Sequence, residues 1–549
     1  MYRLGLLTSV VGDLPRLGLW SLSAAVYGAL FAVPFRKYFI IKQNLPFPSP
    51  TAAAEIIQSL HGAGGEEFAA RKSKCLLWVF MSLLAICIIS FFVPVLKIWD
   101  IWWWLSMAAS NTEEGFGQFM LTLSNWRWYI QLSFAFFGAG MMTPVSTSVS
   151  LFGGSIVAWG ILGPLLLANG VVLGQWYMDE RLQNGPSARF FLLWIGITMM
   201  ICSSFSELGV RWRVLWNGIR GLSISLRSAV VRRGDRKKTD EEDDDDPVPI
   251  HHQVPVLWWT LGLLVTAVFT VCLLYISFDV PVGESILAIL LGIVFGFIAI
   301  QSSAETDINP IGSIAKTSQA VFAAIPNPDI RAKQTSNLIS GLVAAAAASQ
   351  SSSMVGDLKT GHIVGASPRS QFIAQIVGSL FSSVLGVFFW WIFTSAYPCI
   401  LDAKLDDVCV KKGFGMQAVQ AWYGVTIALT GTANIPAASA YACLGLGLTT
   451  IFFTIAKTFY IPQKYHDYLP NFNAIGIAFT NNDPSLMWSI LAGSIAAKIW
   501  SKKSPVNAEM YLFSVAAGMI AAEGIYGVIQ AVFTIFELDK FAFNGGLRQ

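Results

Sequence analysis

Residues Glu305–Gln371 read ETDINPIGSIAKTSQAVFAAIPNPDIRAKQTSNLISGLVAAAAASQSSSMVGDLKTGHIVGASPRSQ, and the rest of the chain is organised around them. The stretch is apolar enough to lie among membrane spans, yet it carries Glu305, Asp307, Asn309, Lys316, Gln350, Asp357, Lys359 and Arg369. Ionisable groups at membrane depth are costly, so they face a bundle interior or a water-filled cavity. Asn309-Pro310, Gly312, Pro326, Pro328, Gly341, Gly356, Gly361 and Gly365 interrupt the helices that form here. Irregular backbone within a bilayer survives only when buried in protein or lining a cavity, and discontinuous helices of this kind build solute sites in secondary transporters.

The surrounding sequence supplies the membrane context. The chain has 549 residues, 54% of them hydrophobic and 13% charged, with a mean hydropathy of +0.57; an ordinary soluble chain is roughly 25% charged. Apolar runs of about 20 residues recur from end to end, the length that crosses a hydrocarbon core about 30 Å thick. They are continuous and rich in Leu, Ile, Ala and Phe, whereas barrel strands alternate over about 10 residues. The expected fold is an all-α, polytopic transmembrane helical bundle with broken or re-entrant helices, internal repeats and about 12 to 14 crossings. An integral, multi-pass location follows, in the plasma membrane or in a vacuolar or other internal membrane, with the lipid bilayer as an obligatory partner.

Arg36, Lys37 and Lys42 close the first apolar run, Leu17–Ile41, and a basic flank of this type stays cytoplasmic. The opening residues lack the ordered basic, apolar and small-residue regions of a cleaved signal peptide. In LPFPSPTAAAEIIQSLH, Pro46, Pro48 and Pro50 forbid a continuous helix, and a short helix capped by Ser49 is expected to carry Glu55. Closely spaced Gly138, Gly140, Pro144, Gly153, Gly154, Gly160, Gly163 and Pro164 point to close helix packing, with another broken helix as the alternative. Between Gly209 and Val254 a basic run gives way to Glu241, Glu242 and Asp243 to Asp246, too charged to bury a core, so a disordered cytoplasmic loop is expected. The expected organisation is therefore 1–208, an N-terminal transmembrane part; 209–253, the charged loop; and 254–549, a C-terminal transmembrane part.

Of the 7 Cys, Cys399 and Cys409 lie in the polar loop AYPCILDAKLDDVCVKKG, where an oxidising compartment would permit a disulfide. The 5 His form no ligand pair inside a span, and no metal site is expected. The chain also lacks a GxxxxGK(S/T) loop for ATP-driven pumping, an HExxH motif and a GxSxG motif. Neither a resident cofactor nor a nucleic-acid partner is expected. The remaining chemistry is a set of membrane-depth carboxylates and amides, suited to binding a polar solute and taking up a proton. A membrane-embedded enzyme or a non-transporting scaffold is the alternative reading.

LPFPSPTAAAEIIQSLH, TDINPIGSIAKTSQAVFA, GDLKTGHIVGASPRSQFIAQIVGSL, YIPQKYHDYLPNFNAIGIAF and AAEGIYGV resemble the oligopeptide transporter superfamily, more its yellow stripe-like and bacterial-type branch than its long peptide-transporter branch. The likeness runs in order over nearly the whole chain. It implies a bundle of about sixteen helices with internal repetition and proton-coupled uptake of small peptides or peptide-like metal chelates. It also implies spans ahead of LPFPS beyond the single run present, so the chain reads as N-terminally shortened. Pro50 stands where the family has Gly.

The expected pathway residues are Asp307, Asn309, Lys316, Gln350, Asp357, Lys359, Asn434, Asn471 and Asn473. Glu55, Glu523 and Glu305 are the expected proton-coupling acids. Glu55 in AAAEII and Glu523 in AAEGIYG have apolar neighbours and no adjacent base in sequence, and burial raises a carboxyl's pKa by disfavouring its ionised form.

Overall fold

A computed structural model of the chain describes residues 1–61, 65–109, 114–172, 187–210, 246–306, 309, 311–402, 405, 417–431, 437–480 and 483–538. In chain order its helices are α1 Val10–Ala32, α2 Pro48–His61, α3 Gly65–Phe92, α4 Ile101–Ala109, α5 Glu114–Asn125, α6 Phe134–Met142, α7 Val145–Ser155, α8 Gly163–Ala168, α9 Ala188–Val210 and α10 Val256–Phe278. They continue as α11 Val282–Thr306, α12 Ile311–Ala323, α13 Ile330–Val364, α14 Pro368–Ala396, α15 Gln417–Leu429, α16 Ala437–Phe459, α17 Phe472–Thr480, α18 Pro484–Lys503 and α19 Pro505–Ile535. Strand β1, Ile98–Trp99, pairs antiparallel with β2, Ile130–Gln131, in the register Ile98 to Gln131. The all-α polytopic expectation holds. Among the described residues, nine helices are long and apolar enough to cross a membrane; shorter pieces such as α6, α12 and α17 fall below that length.

The residues form two compact units. One comprises Met1–Gly65, Glu207–Trp391 and Val425–Ala433; the other comprises Glu66–Ser206, Ile392–Gly424 and Asn434–Gln549. This grouping interleaves the chain, whereas the division at 209–253 follows it in sequence. Within that stretch, residues 211–245 lie outside the described residues.

In the first unit, α13 is the central element, packed by α1, α2, α11 and α12. It begins where Asp329 accepts the Arg331 N–H at 3.0 Å, and it ends at Gly365, whose φ of 79° suits a residue without Cβ. Tyr27 and Phe31 on α1 and Phe35 just past its end recur every four residues; their ring centroids lie 5.3 and 6.0 Å apart in turn, and Phe297 from α11 meets Phe35 at 5.4 Å.

The LPFPSP segment departs from expectation at its cap. Helix α2 starts at Pro48, whose fixed φ suits the first helical position, so Ser49 lies inside the first turn. Phe47 precedes the helix with a φ of 44°; its carbonyl accepts the Thr51 N–H, and its own N–H donates to the Ala304 carbonyl at 2.9 Å.

In the second unit, α6 packs on α18 and α19, and α7 packs on α17 and α18. The glycines expected to allow close approach do so: a methyl on Gly140 would overlap the Ile490 carbonyl, and one on Gly493 would overlap the Phe137 carbonyl. The same stretch is also broken, since α6 stops at Met142 and α7 starts after Pro144. A second cluster joins Trp126, Trp159, Leu192 and Phe479, and Trp159 Nε1 donates to the Ala478 carbonyl at 2.9 Å. Cys399 is disulfide-bonded; Cys409 lies outside the described residues.

Candidate functional site

Helix α13 is the least apolar of the nine candidate spans and also the most buried, with 67% of its most apolar window inside the protein against 50% for α11. A span with that combination turns its polar side chains inward, because lipid offers them no partner. Gln334, Ser336, Asn337, Ser340, Ser351, Ser352 and Lys359 are all buried along it.

Against this helix lies the expected break. Helix α11 ends at Thr306, α12 starts at Ile311, and Asn309 sits between them. A proline removes a backbone donor and excludes helical geometry from the residue before it, which explains an interruption at Asn309-Pro310. The Asn309 side-chain amide reaches the Ala348 carbonyl of α13 at 3.5 Å, while its Oδ1 is buried without a hydrogen-bond partner.

Two turns further on, Gln319 and Asn337 are both fully buried and bonded reciprocally. Gln319 Nε2 donates to Asn337 Oδ1 at 3.0 Å and to Thr426 Oγ1 at 3.1 Å, and Asn337 Nδ2 donates to the Gln319 carbonyl at 2.6 Å. Ser318 Oγ donates to the Ser340 carbonyl at 3.1 Å, tying α12 to α13 a second time. Gln319 Oε1, like Asn309 Oδ1, has no partner. A buried amide oxygen without a donor costs about 1–3 kcal/mol, which marks these two atoms as places for a ligand or a water.

Sequence reasoning passed over Gln319 and Asn337. The signal was present: Thr317-Ser318-Gln319 and Thr335-Ser336-Asn337 are matching polar triplets, each running into an apolar stretch.

The other expected site residues disperse. Lys316 is half-buried on α12. Gln350, half-buried on α13, accepts from Gln375 Nε2 at 3.4 Å. Lys359 is buried, and its Nζ donates to Asn44 Oδ1 at 3.2 Å. Asp357 is exposed, and residues two apart on a helix point to different faces, so it does not join Lys359 in a pair. Arg369 stacks its guanidinium over the Trp258 ring at 4.7 Å. In the second unit, Asn471 Oδ1 caps α17 by accepting the N–H groups of Asn473 and Ala474 at 3.1 Å each, and Asn471 N–H donates to Ser150 Oγ at 3.0 Å. Asp307 and Asn434 lie outside the described residues, as do the side chains of Glu55 on α2 and Glu305 on α11.

Glu523 has partners that its sequence neighbourhood hides. Its Oε1 accepts from Lys97 Nζ at 3.0 Å, and its Oε2 accepts the Ser133 hydroxyl at 2.9 Å and the Ala135 N–H at 2.6 Å. The carboxylate thus sits at the N-terminus of α6, where the helix dipole also favours a negative charge.

These features place broken helices and buried amides in a polytopic bundle, the arrangement of a solute carrier. The model of the OPT oligopeptide transporter protein family matches residues 14–534. The chain belongs to that family.

Among similar proteins, the "Putative oligopeptide transporter" of Saccharomyces cerevisiae is 24% identical over 95% of this chain and 81% of its own length. A "Probable metal-nicotianamine transporter" of Oryza sativa subsp. japonica is 25% identical over 92% of this chain and 71% of its own. One of Arabidopsis thaliana is 24% identical over 92% of this chain and 69% of its own. Membership answers the enzyme and scaffold alternative: this family member is an integral, multi-pass membrane transporter, not an enzyme.

Proposed function

We propose that the chain is a secondary active carrier, coupled to protons, for small peptides or peptide-like metal chelates. The observation that carries this reading is the pair of buried, unpartnered amide oxygens, Asn309 Oδ1 and Gln319 Oε1, at and just beyond the break between α11 and α12. Amide oxygens of this kind accept from ammonium and amide N–H groups, which peptides carry in abundance. Lys316 and Lys359 contribute positive charge toward carboxylates. Names of the relatives include both an oligopeptide and a metal-nicotianamine carrier, which supports the two solute classes together.

Coupling is assigned to the acids Glu55, Glu305 and Glu523, with Asp307, Gln350, Asp357, Asn434, Asn471 and Asn473 retained as pathway residues. For Glu523 the capping geometry adds a condition: protonation must release Lys97 and loosen the start of α6. The organisation into 1–208, a cytoplasmic loop 209–253 and 254–549 belongs to the same proposal, as do the surrounding lipid and protons as partners.

Competition uptake in proteoliposomes tests the solute class. Peptides and metal chelates should each inhibit uptake of a labelled tripeptide, and Asn309→Ala or Gln319→Leu should weaken that inhibition. Uptake insensitive to both solute classes would remove the proposal.

A further inference from the structure

Helices α13 and α14 are joined by a short turn after Gly365 and run back alongside each other through polar contacts. Gln371 Nε2 of α14 donates to the Asp357 carbonyl of α13 at 2.7 Å, and one turn along Gln375 Nε2 donates to Gln350 Oε1 at 3.4 Å. The Gln371 amide occupies the place that a Cβ on Gly361 would take, so it rests directly on the α13 backbone.

Beside these contacts α13 is open. From Ser351 to Lys359 the helix is buried or half-buried except at Ser353 and Asp357, which are exposed and one turn apart. With half-buried Gln350 they form a single stripe. Lys359 points elsewhere, to the Asn44 amide. On α14 the stripe of Gln371 and Gln375 continues as Gly378 and Ser382, both exposed, and a methyl on Gly378 would meet nothing within 4 Å.

Helix α14 carries a second exposed stripe of different composition. Val377, Phe381, Val384 and Phe388 recur at helical spacing, roughly a third of a turn away from the first. Those side chains suit lipid. The amides, hydroxyls and carboxylate of Gln350, Ser353, Asp357, Gln375 and Ser382 do not, because hydrocarbon offers them no partner and polar groups at depth face either protein or a water-filled cavity. Exposure of Ser353, Asp357 and Ser382 leaves water. The stripe also reaches far into the spans: Gln350 and Ser382 each lie about 20 Å of helix from the turn between α13 and α14, against a hydrocarbon core about 30 Å thick.

We infer that the groove between α13 and α14, from Asp357 to Ser382, is filled with water and is a path along which the solute passes. Glutamine amides and serine hydroxyls both donate and accept, which matches the N–H and C=O groups of a peptide backbone, and Asp357 offers a carboxylate to a solute ammonium. That solute is the one proposed above, so the path rests on the carrier reading, whereas the water does not.

Ser353→Cys and Ser382→Cys exchange one atom each. Full-length protein carrying either is placed in liposomes and treated with a charged methanethiosulfonate, with the parent chain and its 7 native cysteines as background and with Val377→Cys and Val384→Cys as the comparison stripe. The reagent attacks the thiolate, which forms in water and not in lipid, so both serine positions should react about tenfold or more faster than the two valine positions. Saturating trialanine should slow labelling at the serine positions and leave the valine positions unchanged. Gly378→Cys, whose side chain meets nothing within 4 Å at its Cβ, replaces a serine variant that fails to fold. Equal labelling of the two stripes would overturn the water-filled groove. Fast labelling that trialanine leaves unchanged, in protein that takes up trialanine, would overturn the path. Fast labelling in protein that takes up no trialanine would support the groove and remove the proposed solute.

Discussion

Lys97 Nζ and Glu523 Oε1 lie 3.0 Å apart although 426 residues separate them, and the other oxygen of Glu523 closes the N-terminus of α6. The side chains are 13% and 21% exposed, so the pair is mostly withdrawn from solvent. One carboxylate thereby performs two tasks, ion pairing and capping. Glu523→Ala removes both and leaves Lys97 without its counter-charge, an expected loss on the order of 3 kcal/mol. Glu523→Gln keeps an acceptor for the cap and should lose less. Thermal unfolding of the purified variants checks the order; a Gln variant as unstable as the Ala variant would refute the capping role.

Gln319 and Asn337 fasten the short helix α12 to the long helix α13. Asn337→Leu leaves the Gln319 amide without its principal acceptor in a fully buried place, at an expected cost of about 1–3 kcal/mol. Replacing both by apolar residues should recover part of that stability, while uptake of a labelled peptide stays impaired. Stability and uptake measured on the same preparations separate the two effects. Full uptake in the double variant would mean that the amides serve packing alone.

The glycine contacts in the second unit predict a steric effect. In Gly493→Ala the new methyl meets the Phe137 carbonyl, and backbone yields less readily than a side chain. Overpacking of this kind costs about 1–3 kcal/mol, so the melting temperature should fall. Gly445→Ala, where a methyl meets nothing within 4 Å, should leave it unchanged. Equal behaviour of the two variants would contradict the packing of α6 on α18.

The Arg36–Asp246 contact has a defined pH signature. Burial by itself would lift the Asp246 carboxyl, but the bound Arg36 guanidinium, with help from Val248 N–H and Lys37, outweighs it and holds the group below its ordinary value of 3.8. A group whose pKa is depressed by folding stabilises above its unfolded value and loses that contribution as pH falls through the folded value. The contact should therefore be constant from pH 5 to 8 and release only below about 3.8. Lys37 and His362 lie within electrostatic range of the same carboxylate, so the measurement needs Asp246→Asn as its reference. A spin label at Val248→Cys, next to the contact, reports it directly; mobilisation at pH 6 in the parent chain alone would disprove the assignment.

Much of the fold was legible because apolar runs have the length of the bilayer and their ends carry turn residues. Helix α14, Pro368–Ala396, follows one of these runs, and the break at Asn309-Pro310 follows from proline's missing donor. Long-range pairings were not legible. Nothing near Glu523 in sequence announces Lys97, and nothing near Asp246 announces Arg36, 210 residues away. Partner choice in each case follows from which helices pack together, and local patterning does not encode that. The candidate site was legible in its location, the polar stretch after Asn309, but not in its composition. Charged groups drew attention to Asp357 and Lys359, whereas the fully buried pair consists of neutral amides.

The proton-driven carrier reading is tested most directly by full-length protein in liposomes containing a pH-sensitive dye, with an inward proton gradient and labelled trialanine or a labelled metal chelate outside. The account predicts that solute accumulates against its gradient, that proton entry rises only when solute is present, and that collapsing the gradient leaves exchange without accumulation. Solute accumulation that is indifferent to the proton gradient, or proton entry that is indifferent to solute, would contradict it.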